Sequence, residues 1–140
     1  MKIEDKQLLL QDLSSRLPYG VICKDTNINV TGTLSQIGLH YDMCVLDKDN
    51  GDSESCYILN CKPYLFPLES MTVEQQKEAN LFDDMDMDIL SKNLGRNHRN
   101  KTNIPTATYN YTDWLNKNHF DYRGLIEKGL AIDATELNIY

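Results

Sequence analysis

The fold is decided by the stretch GVICKDTNINVTGTLSQIGLHYDMCVLDKDNGDSESCYILNC, residues 20–61. Val, Ile, Thr and Cys alternate there with polar residues, the period-two pattern of strands with one buried face. The pattern predicts strands at about 20–25, 28–37, 41–47 and 55–61. Asp25-Thr26-Asn27, Gly38-Leu39-His40 and the polar run Lys48 to Ser53 separate them. These connections are too short to carry crossover helices, so the expected arrangement is an antiparallel meander, either a curled sheet or a small open barrel.

Upstream, Leu9, Leu10, Leu13 and Leu17 recur at helical spacing while Lys6, Gln7, Asp12 and Arg16 fall elsewhere. An amphipathic helix over 1–17 is expected, ended by Pro18. Downstream, Lys62-Pro63-Tyr64-Leu65-Phe66-Pro67 carries two prolines that cannot donate ladder hydrogen bonds, so the sheet should give way there to an extended connector. Thr72 and Gln75 match a capping box, and Leu81, Phe82, Met85, Ile89 and Leu94 continue at helical spacing. This predicts a helical region at 72–94. An exposed polar loop over 95–108 should follow, then a helical corner over 112–129. In that corner Thr112 or Asp113 caps a helix whose first turn holds Trp114, with its ring toward the core beside Leu115 and Phe120. Gly129 ends a second short helix. The expected class is thus α+β, in a single domain over 1–140.

Composition narrows the function classes. With 41% hydrophobic and 25% charged residues the chain has the makings of a globular core. Its net charge of −7 opposes non-specific binding to nucleic acid, whose affinity comes largely from Lys and Arg displacing counterions. Cys23, Cys44, Cys56 and Cys61 include no close pair of the zinc-knuckle or thioredoxin kind, and are read as small buried hydrophobes. No metal or cofactor is expected. The charged N-terminus carries no export signal and no apolar run approaches the ~20 residues of a membrane span, so a cytoplasmic protein with reduced thiols is expected.

Four clusters bear on chemistry. Asp47 to Asp52 resembles a calcium loop only in part, because its glycine comes one place early and position 58 is Ile58. A hairpin turn at Asn50-Gly51 explains it. Asp83, Asp84, Asp86 and Asp88 form an acidic helix face, interrupted by Met85 and Met87. The basic loop 92–101, with Arg96, His98, Arg99 and Lys101, is the candidate binding surface of a nucleic-acid-associated protein. His119, Asp121, Tyr122 and Arg123 are the candidate catalytic residues of a small hydrolase built around His119 and Asp121, set against a corner capped by Asp121. No phosphate loop, nucleophile elbow or zinc-protease motif accompanies them. The preferred expectation is therefore a non-enzymatic protein-binding or adaptor module, with the nucleic-acid and hydrolase readings as alternatives.

Three stretches carry a resemblance: Leu13-Ser14-Ser15-Arg16-Leu17-Pro18-Tyr19-Gly20-Val21, Lys62-Pro63-Tyr64-Leu65, and Asp113-Trp114-Leu115-Asn116 through His119 to Ala131. Together they resemble a family of uncharacterised small proteins encoded by gut Bacteroides and their prophages or other mobile elements. The chain departs from that pattern at Phe66 and after Ala131. The resemblance implies a bacterial or phage setting and supplies no activity or catalytic residues.

Overall fold

In the computed structural model, residues 3–38, 42–81 and 106–140 are described. Helix α1 spans Ile3–Arg16, with Glu4 and Asp5 in its first turn and Arg16 in its last, each favourable to the helix dipole. Its buried stripe is Leu9, Asp12, Leu13 and Arg16, at i, i+3, i+4 and i+7. The sequence reading put Asp12 and Arg16 outside the leucine face. They lie on it, because positions 12 and 16 fall directly beside 9 and 13 in the helical period. A 3-10 turn at Leu17–Tyr19, entered through Pro18, closes on Gly20 in the left-handed conformation.

Strands β1 (Ile22–Asp25), β2 (Val30–Gly38), β3 (Met43–Asp47) and β4 (Ser53–Tyr57) form the antiparallel meander that the alternation predicts, although the fourth strand, expected over 55–61, starts two residues earlier and ends at Tyr57, where a 3-10 turn takes over. The β3–β4 hairpin turns at Asn50-Gly51, where Gly51 takes φ +91° and the Asn50 side chain accepts from the Asp52 N–H. The sheet does not stop at four strands. Residues 58–60 make a 3-10 turn that buries Ile58, and Cys61–Pro67 is β5, paired antiparallel with β1. The Thr26 N–H donates to the Asn60 carbonyl, so Pro63 falls at an unbonded pair of the ladder opposite Cys23. Its missing N–H costs no bond to β1. The expected connector is a strand for this reason.

Two short strands, β6 (Phe120–Asp121) and β7 (Ile132–Asp133), then pair parallel with β5. Bonded neighbours run β4-β3-β2-β1-β5-β6, with β7 also on β5, and the sheet is not closed. The Tyr140 hydroxyl accepts from the Ile22 N–H at 2.9 Å and donates to the Tyr64 carbonyl at 2.8 Å. It thus stands in for the next rung of the β1–β5 ladder, where the two strands part.

Helix α2 (Val73–Leu81) begins with the capping box: Thr72 accepts from the Gln75 N–H at 3.1 Å and Gln75 from the Thr72 N–H at 2.9 Å. The remainder of the predicted region 72–94, the acidic run 83–88 included, lies outside the described residues. Helix α3 spans Thr106–Lys117. It starts six residues before the predicted N-cap and takes in the end of the predicted loop 95–108, so Trp114 sits well along the helix and not in its first turn. The predicted second helix of the corner is instead a run of turns from Arg123 to Ala131. Asp121 caps it nonetheless, accepting from the Leu125 and Ile126 N–H groups at 2.9 and 3.0 Å.

Among the described residues two buried clusters result. The larger packs Leu9 and Leu13 of α1 against Val21, Leu34, Leu46, Ile58, Leu65, Leu125 and all four cysteines. The smaller joins Ala79, Trp114, Leu115 and Phe120, with the rings of Trp114 and Phe120 stacked at 5.6 Å. The cysteines are free and buried, as expected of small hydrophobes. Burial, with the Asp25 carboxylate beside it, pushes the Cys56 thiol up to about 12, and Cys44 and Cys61 are raised further by contact with neighbouring thiols and by burial. These are packing groups rather than nucleophiles.

Candidate functional site

The structure gives each predicted catalytic residue a structural partner. Asp121 spends both carboxylate oxygens on the turn that follows it. His119, at φ +64°, lies flat on the Tyr140 ring with centroids 3.7 Å apart. Burial, with Arg16 nearby, lowers its imidazole to about 4, so it is neutral at pH 7. Tyr122 donates to Asn116 Oδ1 at 2.8 Å and is flanked by two guanidinium groups, Arg16 at 5.3 Å and Arg123 at 5.0 Å from its ring centroid. Arg123 also donates to Ser15 Oγ and to the Tyr122 hydroxyl, each at 3.2 Å. Neither His119 nor Asp121 hydrogen-bonds to the other, so the pair provides no general acid–base relay.

What the sequence reading missed is the residue that organises this corner. Asp12, fully buried, accepts from Arg16 Nε at 2.8 Å, and its other oxygen lies 3.2 Å from Arg123 Nε without hydrogen-bond alignment. Burial pushes its carboxyl above the usual range, against the pull of Arg16 and Arg123. Arg16 in turn donates from Nη2 to the Phe120 carbonyl at 2.6 Å. The cluster holds two cations and two carboxylates, so it is neutral overall and offers no net field to an ionic ligand. The sequence signal was available in the i, i+4 spacing of Asp12 and Arg16 on the leucine stripe.

The open side of the sheet is different. The Ile58 N–H donates to the Asp42 carbonyl at 2.8 Å and the Lys48 N–H to the Asp52 carbonyl at 2.7 Å. Because bonding alternates along a ladder, the even-numbered residues of β4 face β3 and the backbone groups of Ser53, Ser55 and Tyr57 face away. No other described strand pairs with β4. Its register with β3 is unbroken, and it contains no proline, so two of the devices that usually blunt an edge are missing. Tyr57 and Leu59 beside it are among the exposed large hydrophobics.

A shallow cleft of about 170 Å³ lies against α3, lined by Tyr19, Asn110, Asp113, Trp114 and Lys117. Among the described residues no group of His, Cys, Asp or Glu is arranged to hold a metal ion, and no helix is long and apolar enough to cross a membrane. Arg96, His98, Arg99 and Lys101 lie outside the described residues. No protein-family model matches this chain, and neither a curated protein nor a solved structure matches it.

Proposed function

We propose that the protein is a non-enzymatic binding module that takes up an extended segment of a protein partner as an added strand on β4. The observation that carries this reading is the row of backbone donors and acceptors at Ser53, Ser55 and Tyr57, which no described strand pairs. Main-chain bonds would supply the affinity and the exposed Tyr57 and Leu59 a hold for alternate side chains. The structural employment of His119, Asp121, Tyr122 and Arg123 favours binding over catalysis. A bacterial cell, its phage or a mobile element is the setting that the resemblance implies.

Proline at position 55 tests the idea selectively. The Ser55 N–H faces away from β3, so Ser55→Pro should leave the β3–β4 ladder and the circular dichroism spectrum intact. The same change removes the central donor offered to the partner. Capture from a lysate of the source cell, wild type beside variant at several salt concentrations, should recover a partner that persists at high salt and is lost with Ser55→Pro. Recovery of no partner above background, or of the same partner by both proteins, overturns the reading.

A further inference from the structure

The acidic surroundings of β4 give the added strand a chemistry, on the strand-addition reading above. Residues 43–57, the β3–β4 hairpin, hold four carboxylates, Asp47, Asp49, Asp52 and Glu54, against one cation, Lys48. Lys48 is spent on Glu54 at 3.3 Å. Asp47, Asp49 and Asp52 are exposed, and among the described residues none of them is ion-paired. Like charges therefore gather at one end of the edge.

Asp47 is also fixed in position. It stands across the ladder from Ser53, and its Oδ1 accepts from the hydroxyls of Ser53 at 2.8 Å and Ser35 at 3.1 Å. A strand added to β4 lies two strand spacings, roughly 10 Å, from β3. Lysine or arginine opposite the small Ser53 spans that gap to Asp47. At the other end of the edge the surface changes to the exposed Tyr57 and Leu59. Ser53, Ser55 and Tyr57 are exposed along the whole row, so the backbone groups that hold the strand are open to it.

We propose that β4 takes up a basic segment of a different protein, with lysine or arginine opposite Ser53 and beside Asp52 and an aromatic or apolar residue opposite Tyr57. The segment runs antiparallel to β4, the pairing that is more stable per residue, with its apolar end first. A second copy of this chain fits less well, because each copy brings a net charge of −7. Opposite charges facing across a ladder stabilise it, and the carboxylates repel acidic competitors. Charge thus selects among strands that the main chain alone would accept alike.

The probe is the peptide acetyl-Ser-Phe-Thr-Val-Thr-Lys-Arg-Ser-amide, beside versions with Gln-Gln or Glu-Glu in place of Lys-Arg. Calorimetry with the full chain at low salt should give a Kd of ~50 µM for the basic peptide, with binding about fivefold weaker for Gln-Gln and about twentyfold weaker for Glu-Glu. Asp47→Asn with Asp52→Asn should remove the advantage of Lys-Arg and leave the Gln-Gln peptide unchanged. Salt at about 0.5 M should do the same by screening, while the main-chain bonds persist. Ser55→Pro should abolish binding of all three. Equal binding of the three peptides, lost together in Ser55→Pro, overturns the inference and leaves strand addition standing. Binding of the basic peptide that Ser55→Pro does not change overturns both. No binding up to about 1 mM peptide overturns the inference alone, since capture from the lysate judges strand addition separately. A dimer in sedimentation that Ser55→Pro dissolves assigns the edge to a second copy and likewise overturns the basic partner.

Discussion

At the scale of single residues, His119 shows how one side chain can look catalytic in sequence and be structural in fact. It sits in the left-handed region at φ +64°, its ring is pressed against Tyr140, and its Nδ1 is buried with no partner among the described residues. Protonation would put a second positive charge near Arg16 in a poorly solvated place, which is why the imidazole titrates at about 4 instead of 6.5. The unfolded chain takes up this proton at pH 6.5 and the folded one does not until about 4, so the unfolded state binds more protons in between. Stability contributed by neutral His119 is therefore fully present above pH 6.5 and is lost as the pH falls toward 4. At about 1.4 kcal/mol per pH decade the loss stays below about 4 kcal/mol, and solvent screening at the exposed side of the ring reduces it. His119→Asn accepts positive φ without titrating, and chemical denaturation at pH 7 and pH 4.5 should show a smaller drop for the variant. Equal drops for the two proteins would mean that the imidazole is solvated in the native state. Nothing in the sequence distinguishes this histidine from a general base, because its environment is made by Tyr140 and Arg16, far from it along the chain.

At the scale of elements, legibility followed the range of the forces involved. The four strands of the meander and the capping box at Thr72 and Gln75 rest on neighbours within a few residues, and both were readable. Strand β5 was misread because a proline is judged by what it lacks, and whether Pro63 needs an N–H depends on its phase against β1. Helix α3 was read six residues short because its first half, Thr106 to Tyr111, is made mostly of β-branched, aromatic and polar residues of modest helix propensity and passes for loop. Close approach between strands was also hidden. A Cβ added at Gly32 of β2 would lie 2.6 Å from the Asp47 carbonyl oxygen and 3.2 Å from Leu46 Cβ on β3. The first contact is with backbone and cannot be relieved by a rotamer change, so Gly32→Ala must push β2 and β3 apart at the start of their pairing. A destabilisation of about 1–3 kcal/mol is expected by urea titration. Gly38→Ala in the same strand meets its nearest atom at 3.6 Å, an ordinary contact, and should change stability by no more than about 0.5 kcal/mol. Equal effects at the two sites would assign the cost to strand propensity rather than to the β2–β3 approach.

At the scale of the whole molecule, the two buried clusters are tied through a buried ionic group as well as through the backbone pairing of β5 with β6. Arg16 ends α1, whose Leu9 and Leu13 belong to the larger cluster, and donates to the carbonyl of Phe120, a member of the smaller one. Asp12 holds Arg16 from one turn below and has Arg123 of the C-terminal corner beside it. Taking these charges out of water is costly, and a buried pair often does no better than apolar residues of the same size. Its worth lies in fixing where the corner docks. Arg16→Met leaves Asp12 buried with only the partly exposed Arg123 near it and should cost about 3–5 kcal/mol, whereas Asp12→Leu with Arg16→Met removes both charges and should regain a good part of that. The double-mutant cycle should thus give a coupling of at least about 2 kcal/mol. Simple additivity would place the stabilisation in the Phe120 carbonyl bond or in packing instead. The tie also sets cooperativity. In the wild-type protein Trp114 emission, which reports the smaller cluster, and far-ultraviolet circular dichroism, which reports the whole, should trace one urea transition. With Arg16→Met the smaller cluster keeps its ring stack but loses its hold on α1, so the emission change should move to lower urea than the dichroism change. Coincident transitions in the variant would show that the β5–β6 pairing alone couples the clusters, and would leave the Asp12–Arg16 pair with a role in geometry but none in cooperativity.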